Sequence, residues 1–131
     1  MEEARAVSSP GEKERDRNRE EGEAYLVGKR QTEFRALAAR ANYLALDRSD
    51  IQYSVKEICR GMAKPKNRDW RRLKRLGRYL IGASRVVSQY KWQGRHEEVI
   101  GYSDSDWAGC ARTMKSTSGG ILMRGTHTIK S

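Results

Sequence analysis

Cysteine, histidine and proline occur only twice each in the 131 residues, and there is a single phenylalanine. Cys59 and Cys110 stand far apart, neither in a CxxC pair nor near a histidine at metal-ligand spacing. That excludes a disulfide framework and a zinc site, and two reduced thiols are expected, one buried on a helix and one in a loop. His96 and His127 are isolated and are expected to bind no metal. No apolar run approaches the roughly 20 residues of a membrane span, and no apolar stretch follows Met1 as a secretory signal would require. The expectation is an intracellular protein, in cytoplasm or nucleus, not secreted and without membrane contact. Ser103, Ser116 and Ser118 lack histidine or aspartate partners at hydrolase spacing. Gly119–Gly120 opens a strand rather than a helix, so it forms no phosphate cradle.

Charge is abundant and unevenly placed. The chain holds 27 Lys/Arg against 17 Asp/Glu, a net of +10. Residues 1–23 carry 5 basic and 8 acidic residues, which leaves 22 basic and 9 acidic over residues 24–131. A surplus of +13 on that stretch favours polyanions, nucleic acid first, through phosphate contacts and counterion release.

Three regions follow from patterning. Residues 1–23 show no apolar period and carry Ser8, Ser9, Pro10 and Gly11 at their centre, so a loose charged leader is expected. Residues 24–84 read as helical. Phe34, Leu37, Ala38, Ala41, Leu44 and Ala45 recur at helical steps from Glu33 to about Asp47. Ser49 reads as the N-cap of a second helix built on Ile51, Val55, Ile58, Cys59 and Met62, which Pro65 ends. Asn67 reads as the cap of a third helix to about Ile81, with Trp70, Leu73, Leu76, Gly77, Leu80 and Ile81 on its apolar side and Gly82 as terminator. Its other side carries Arg68, Arg71, Arg72, Lys74, Arg75 and Arg78, with Lys64 and Lys66 ahead of them. Residues 85–131 change to a period of two. Val86 to Trp92 predicts a strand with Tyr90 and Trp92 in the core, and Val99 to Ser105 a second with Ile100, Tyr102 and Asp104 on one side. Gly119–Arg124 and Thr126–Ser131 predict a hairpin about Gly125. The fold class expected is α+β.

Three strings resemble one family. The run ALAARANYLALDRSDI resembles the segment that closes Copia-type retrotransposon reverse transcriptases, with Tyr43, Leu44, Arg48, Asp50 and Ile51 in the Tyr-Leu and Arg-Pro-Asp-Ile places and Ser49 where proline is usual. DWRRLKRLGRYLIG resembles the family's next helix, matching at Trp70, Lys74, Arg75, Arg78, Tyr79 and Leu80, with Asp69 in place of histidine. GYSDSDWAGC and the string Lys115 to Gly119 resemble the opening of its RNase H domain.

The resemblance covers roughly residues 24–131. It implies a three-helix, thumb- or connection-like reverse-transcriptase tail, followed by the first strands of an incomplete RNase H-like sheet. The implied parent is a polyprotein with RNA-directed DNA polymerase and RNA–DNA hybrid ribonuclease activity. By position Asp104 is the first catalytic and metal-binding aspartate of that nuclease, which works with Mg²⁺. Two such ions need about four carboxylates from separate elements; the others are expected beyond Ser131, and Asp106 reads as structural. The Asp-Asp pair of a polymerase does not occur. The expectation is therefore a truncated polyprotein fragment without nuclease or polymerase activity, which binds no Mg²⁺ by itself and retains binding alone: nucleic acid as hybrid or single strand, held through phosphates by the basic helix. The rest of the polyprotein is the other expected partner. Two alternatives stand beside it, a non-catalytic nucleic-acid-binding module and a hybrid nuclease completed in trans.

Overall fold

Residues 5–11, 24–107 and 116–131 are described in the computed structural model of the chain. Cys110, Lys115 and most of the charged leader lie outside the described residues. The chain divides into two compact units, residues 1–86 and 87–131. The order of elements is three helices and then three strands, so the α+β class holds.

The first unit contains α1 (Gly28–Leu44), a 3-10 turn (Ser49–Ile51), α2 (Gln52–Cys59) and α3 (Asn67–Gly82). Phe34, Ala38, Ala41 and Ala45 from the α1 region meet Leu26, Ile51, Val55, Ile58 and Leu76 in one buried cluster. Alanines at three of the four α1 positions allow the helices to approach closely, and burying Phe34, Ile51, Ile58 and Leu76 contributes about 1.5–3 kcal/mol each. Leu37, Leu44 and Ile81, expected on apolar faces, are exposed. The helix α1 starts five residues before the expected Glu33, at Gly28.

Two expected caps are corrected. Ser49 makes no side-chain cap; it opens the 3-10 turn that leads into α2. Asn67 is the first residue of α3, and the capping carboxylate comes from Asp69, whose Oδ2 accepts the backbone N–H of Lys66 at 2.9 Å. A carboxylate at this position satisfies an orphan donor and complements the helix dipole. Arg35 holds the turn after α2, its Nε and Nη2 donating to the carbonyls of Met62 and Ala63 at 2.9 Å each. Leu26 N donates to Pro65 O at 2.7 Å and Asn67 N to Ala24 O at 3.1 Å, which ties the chain before α1 to the start of α3.

The second unit is an antiparallel meander in the order β1 (Ile100–Ser105), β2 (Ser118–Arg124), β3 (His127–Lys130). The predicted hairpin forms, and Gly125 adopts φ +57 at its turn, a conformation that disfavours a β-carbon. Val86 to Trp92 is not a strand, and Trp92 is 93% exposed rather than core. The backbone after α3 has no ladder there; its side chains serve the hairpin instead. Gln93 Nε2 donates to Arg124 O at 2.9 Å, and Gln93 Oε1 accepts from Thr126 N at 2.8 Å and Thr126 Oγ1 at 2.9 Å. Tyr90 donates its hydroxyl to Thr128 O at 3.2 Å.

Candidate nucleic-acid interface and candidate metal position

The side chains of α3 divide by what the rest of the first unit needs from them. At about 100° per residue the six cations span roughly 160° of the helix. Arg71, Lys74 and Arg78 are exposed, whereas Arg68, Arg72 and Arg75 are half-buried. Asp69, 3% exposed, sits among them, with Oδ1 3.7 Å from both Arg68 Nε and Arg72 Nη1. Asp69 thus flanks the basic face and ties Arg68 and Arg72 to the start of the helix. The exposed half is a strip of three cations covering about 60°.

The far end of α3 is fixed by residues from the 3-10 turn. Arg48 is buried and makes a bidentate pair with Asp50, Nε to Oδ1 at 2.8 Å and Nη2 to Oδ2 at 2.7 Å. The same Nη2 donates to Ala83 O at 2.9 Å, just past the helix end. Tyr79 donates its hydroxyl to Asp50 Oδ2 at 2.9 Å. Hydrogen bonding from Arg48 holds the Asp50 carboxyl down at about 2, and Tyr79, whose proton that carboxylate accepts, is raised. Arg48 itself is raised further by its bond to Asp50. The Arg48, Asp50 and Tyr79 positions singled out in the sequence therefore meet in one network, and that network is a brace for α3.

Residues 5–11 also reach α3, a contact that patterning did not show. Arg78 Nε donates to Arg5 O at 2.6 Å and Arg75 Nε to Gly11 O at 2.9 Å. Pro10 and Gly11, with Tyr53, Ile58, Arg72 and Arg75, line a cavity of about 260 Å³.

In the second unit Asp104 lies on β1, exposed, opposite Gly119 of β2. Asp106 is committed to the backbone: its Oδ1 accepts Thr117 N, and its own N–H donates to Thr117 O at 3.0 Å. Among the described residues no group of three or more His, Cys, Asp or Glu side chains is placed to hold a metal ion. Also among the described residues, no helix is long and apolar enough to cross a membrane.

The chain is 36% identical over 98 residues, 75% of its length, to an uncharacterised mitochondrial protein of Arabidopsis thaliana, and spans 40% of that protein. It is 37% identical over the same length to retrovirus-related Pol polyproteins from the Arabidopsis thaliana transposons RE2 and RE1, of each of which it spans 7%. No family model matches the chain, and no solved structure does. The class of protein is thus retrotransposon polyprotein sequence. Within it, the chain belongs to the Copia-type Pol family that its three motifs resemble.

Proposed function

We propose that residues 24–84 form the closing, thumb- or connection-like segment of a Copia-type reverse transcriptase, and residues 85–131 the first strands of its RNase H-like domain. In the parent polyprotein, the surface of α3 tracks the phosphates of an RNA–DNA hybrid, and Asp104 supplies one ligand to a Mg²⁺ centre completed by other elements. The 131-residue chain by itself binds nucleic acid without cutting or copying it.

The observation that carries this reading is the exposed strip of Arg71, Lys74 and Arg78 on a helix fixed at both ends. Three cations on one side of a braced helix make a rigid phosphate comb, which needs no base contacts. Relatedness to Pol polyproteins supplies the nucleic acid.

The test is binding of a fluorescent RNA–DNA hybrid across a salt series. Affinity is expected to fall linearly on a log–log plot. Replacing Arg71, Lys74 and Arg78 by glutamine is expected to reduce the slope by about 0.9 per cation removed. A flat salt dependence, or a triple variant that binds like the parent, counts against the interface. With Mg²⁺ present the hybrid is expected to stay intact. Cleavage lost in Asp104→Asn would show a working nuclease and favour completion of the site by a second chain. The other reading, a binding module without chemistry, rests on the same strip and shares its binding result.

A further inference from the structure

The segment 5–11 lies along the basic side of α3. Its carbonyls at Arg5 and Gly11 take the Nε hydrogens of Arg78 and Arg75, the role a phosphate oxygen would play. The segment follows α3 from its C-terminal end, where a β-carbon on Gly82 would come within 2.8 Å of Ala6 Cβ, back to Gly11, where a β-carbon would sit 3.2 Å from Ser54 Oγ of α2. Glycine at positions 11 and 82 therefore permits the close approach. The contacts are neutral carbonyls on charged donors, so an ionised phosphate makes the stronger partner for the same guanidinium groups.

We infer that residues 5–11 are an intramolecular strap that competes with nucleic-acid phosphates for Arg75 and Arg78, so that full engagement of these two cations requires its displacement. The strap leaves Arg71 and Lys74 exposed, which sets an encounter site outside the covered one. Nucleic acid that lands there gains the two further cations as the strap comes off. The leader of which it is part has a net charge of −3, so in the released state it is repelled by the bound polyanion and does not readily return. This inference rests on the phosphate-tracking role of α3.

The experiment uses the full chain and a matched pair of changes. Gly82→Ala places a methyl against Ala6 and wedges the strap off, while Ala6→Gly in the same chain removes the obstructing methyl. Position 82 has no positive φ, so alanine suits its backbone and improves helix propensity. Gly82→Val is the stronger wedge. Release is read first by trypsin cleavage after Arg5, which is expected to accelerate in the wedge variants and return to the parent rate in Ala6→Gly/Gly82→Ala. Binding of the RNA–DNA hybrid is then expected to tighten, with a salt slope steeper by about 0.9 for each cation freed. The double variant is expected to restore the parent slope. Unchanged cleavage in both wedge variants, or faster cleavage with unchanged binding, overturns the strap. Absence of binding by parent and variants alike overturns the phosphate-tracking role, and the strap's competition with it.

Discussion

Asp50 is a residue on which three side-chain hydrogen bonds of the first unit converge. Its carboxylate accepts from Arg48 and Tyr79, and Arg48 carries the connection on to Ala83 O. A carboxyl held at about 2 against an ordinary value of 3.8 stabilises the fold in full only while it is ionised in both states. That contribution is complete above about pH 4 and is lost as the pH falls toward 2, because the unfolded chain then takes up the proton first. Asp50→Asn is expected to lower stability at neutral pH by about 1–3 kcal/mol, since it leaves the buried Arg48 guanidinium without its counter-charge. Urea midpoints measured from pH 7 to pH 2.5 check this: the gap between parent and variant should close below pH 4. A gap that stays constant to pH 2.5 would show that Asp50 acts through packing alone. The motif positions Arg48, Asp50 and Tyr79 were legible in the sequence, but their joint use was not. Residues 29 or 31 positions apart in the chain reveal a shared contact only when the helices between them are packed.

At the scale of elements, α3 shows what periodicity can and cannot report. Its length and its basic side were legible because leucines and arginines repeat at helical steps. The division of the cations into an exposed strip and a half-buried set was not, since it depends on the neighbouring α2 and on Asp69. The stretch from Val86 to Trp92 misled for a related reason: its alternation satisfies a strand pattern, but a strand also needs a neighbour to pair with, and Tyr90 and Gln93 use side chains instead. The start of α3 offers a sharp test of how tightly elements are coupled. A β-carbon on Gly61 would come within 2.7 Å of Asp69 Cγ, so the turn after α2 and the cap of α3 occupy the same space. Asp69→Ala is expected to cost about 1–2 kcal/mol through loss of the cap. Gly61→Ala is expected to destabilise by displacing that carboxylate. Combined, the two should cost clearly less than their sum, because the methyl at 61 fills space that the carboxylate has left. Additive losses in denaturant melts would mean that Gly61 is needed for its own backbone and not for Asp69.

On the scale of the whole molecule, buried apolar residues are distributed very unequally. Every hydrophobic residue of the core cluster lies between Leu26 and Leu76, in the first unit, and none of the described residues from 87 onward is buried. In the sheet, Tyr102 faces Ile121 and Ile100 faces Met123 across β1 and β2, so four apolar side chains share one face, with Tyr102 and Ile100 exposed. Cross-strand pairs of this kind contribute only about 0.2–1 kcal/mol each, and three short strands with no buried residue among those described have little else to resist opening. The backbone amides of the two units should therefore differ in hydrogen exchange. Those around Phe34, Ala38 and Ile58 are expected to open only with the first unit as a whole, and those of β1 to β3 by far cheaper local opening. Leu76→Ala sharpens the expectation: removing a fully buried leucine should cost about 2–5 kcal/mol, speed exchange throughout α1 to α3, and leave the rates of β1 to β3 unchanged. If the strand amides instead slow to match the helices, or accelerate with them in Leu76→Ala, the sheet draws its stability from the helical unit and the two fold as one. Equal protection would thus place the boundary near residue 86 within a single cooperative body. Unequal protection would leave the helical unit, with its strip of cations, as the part that holds its shape while the strands open.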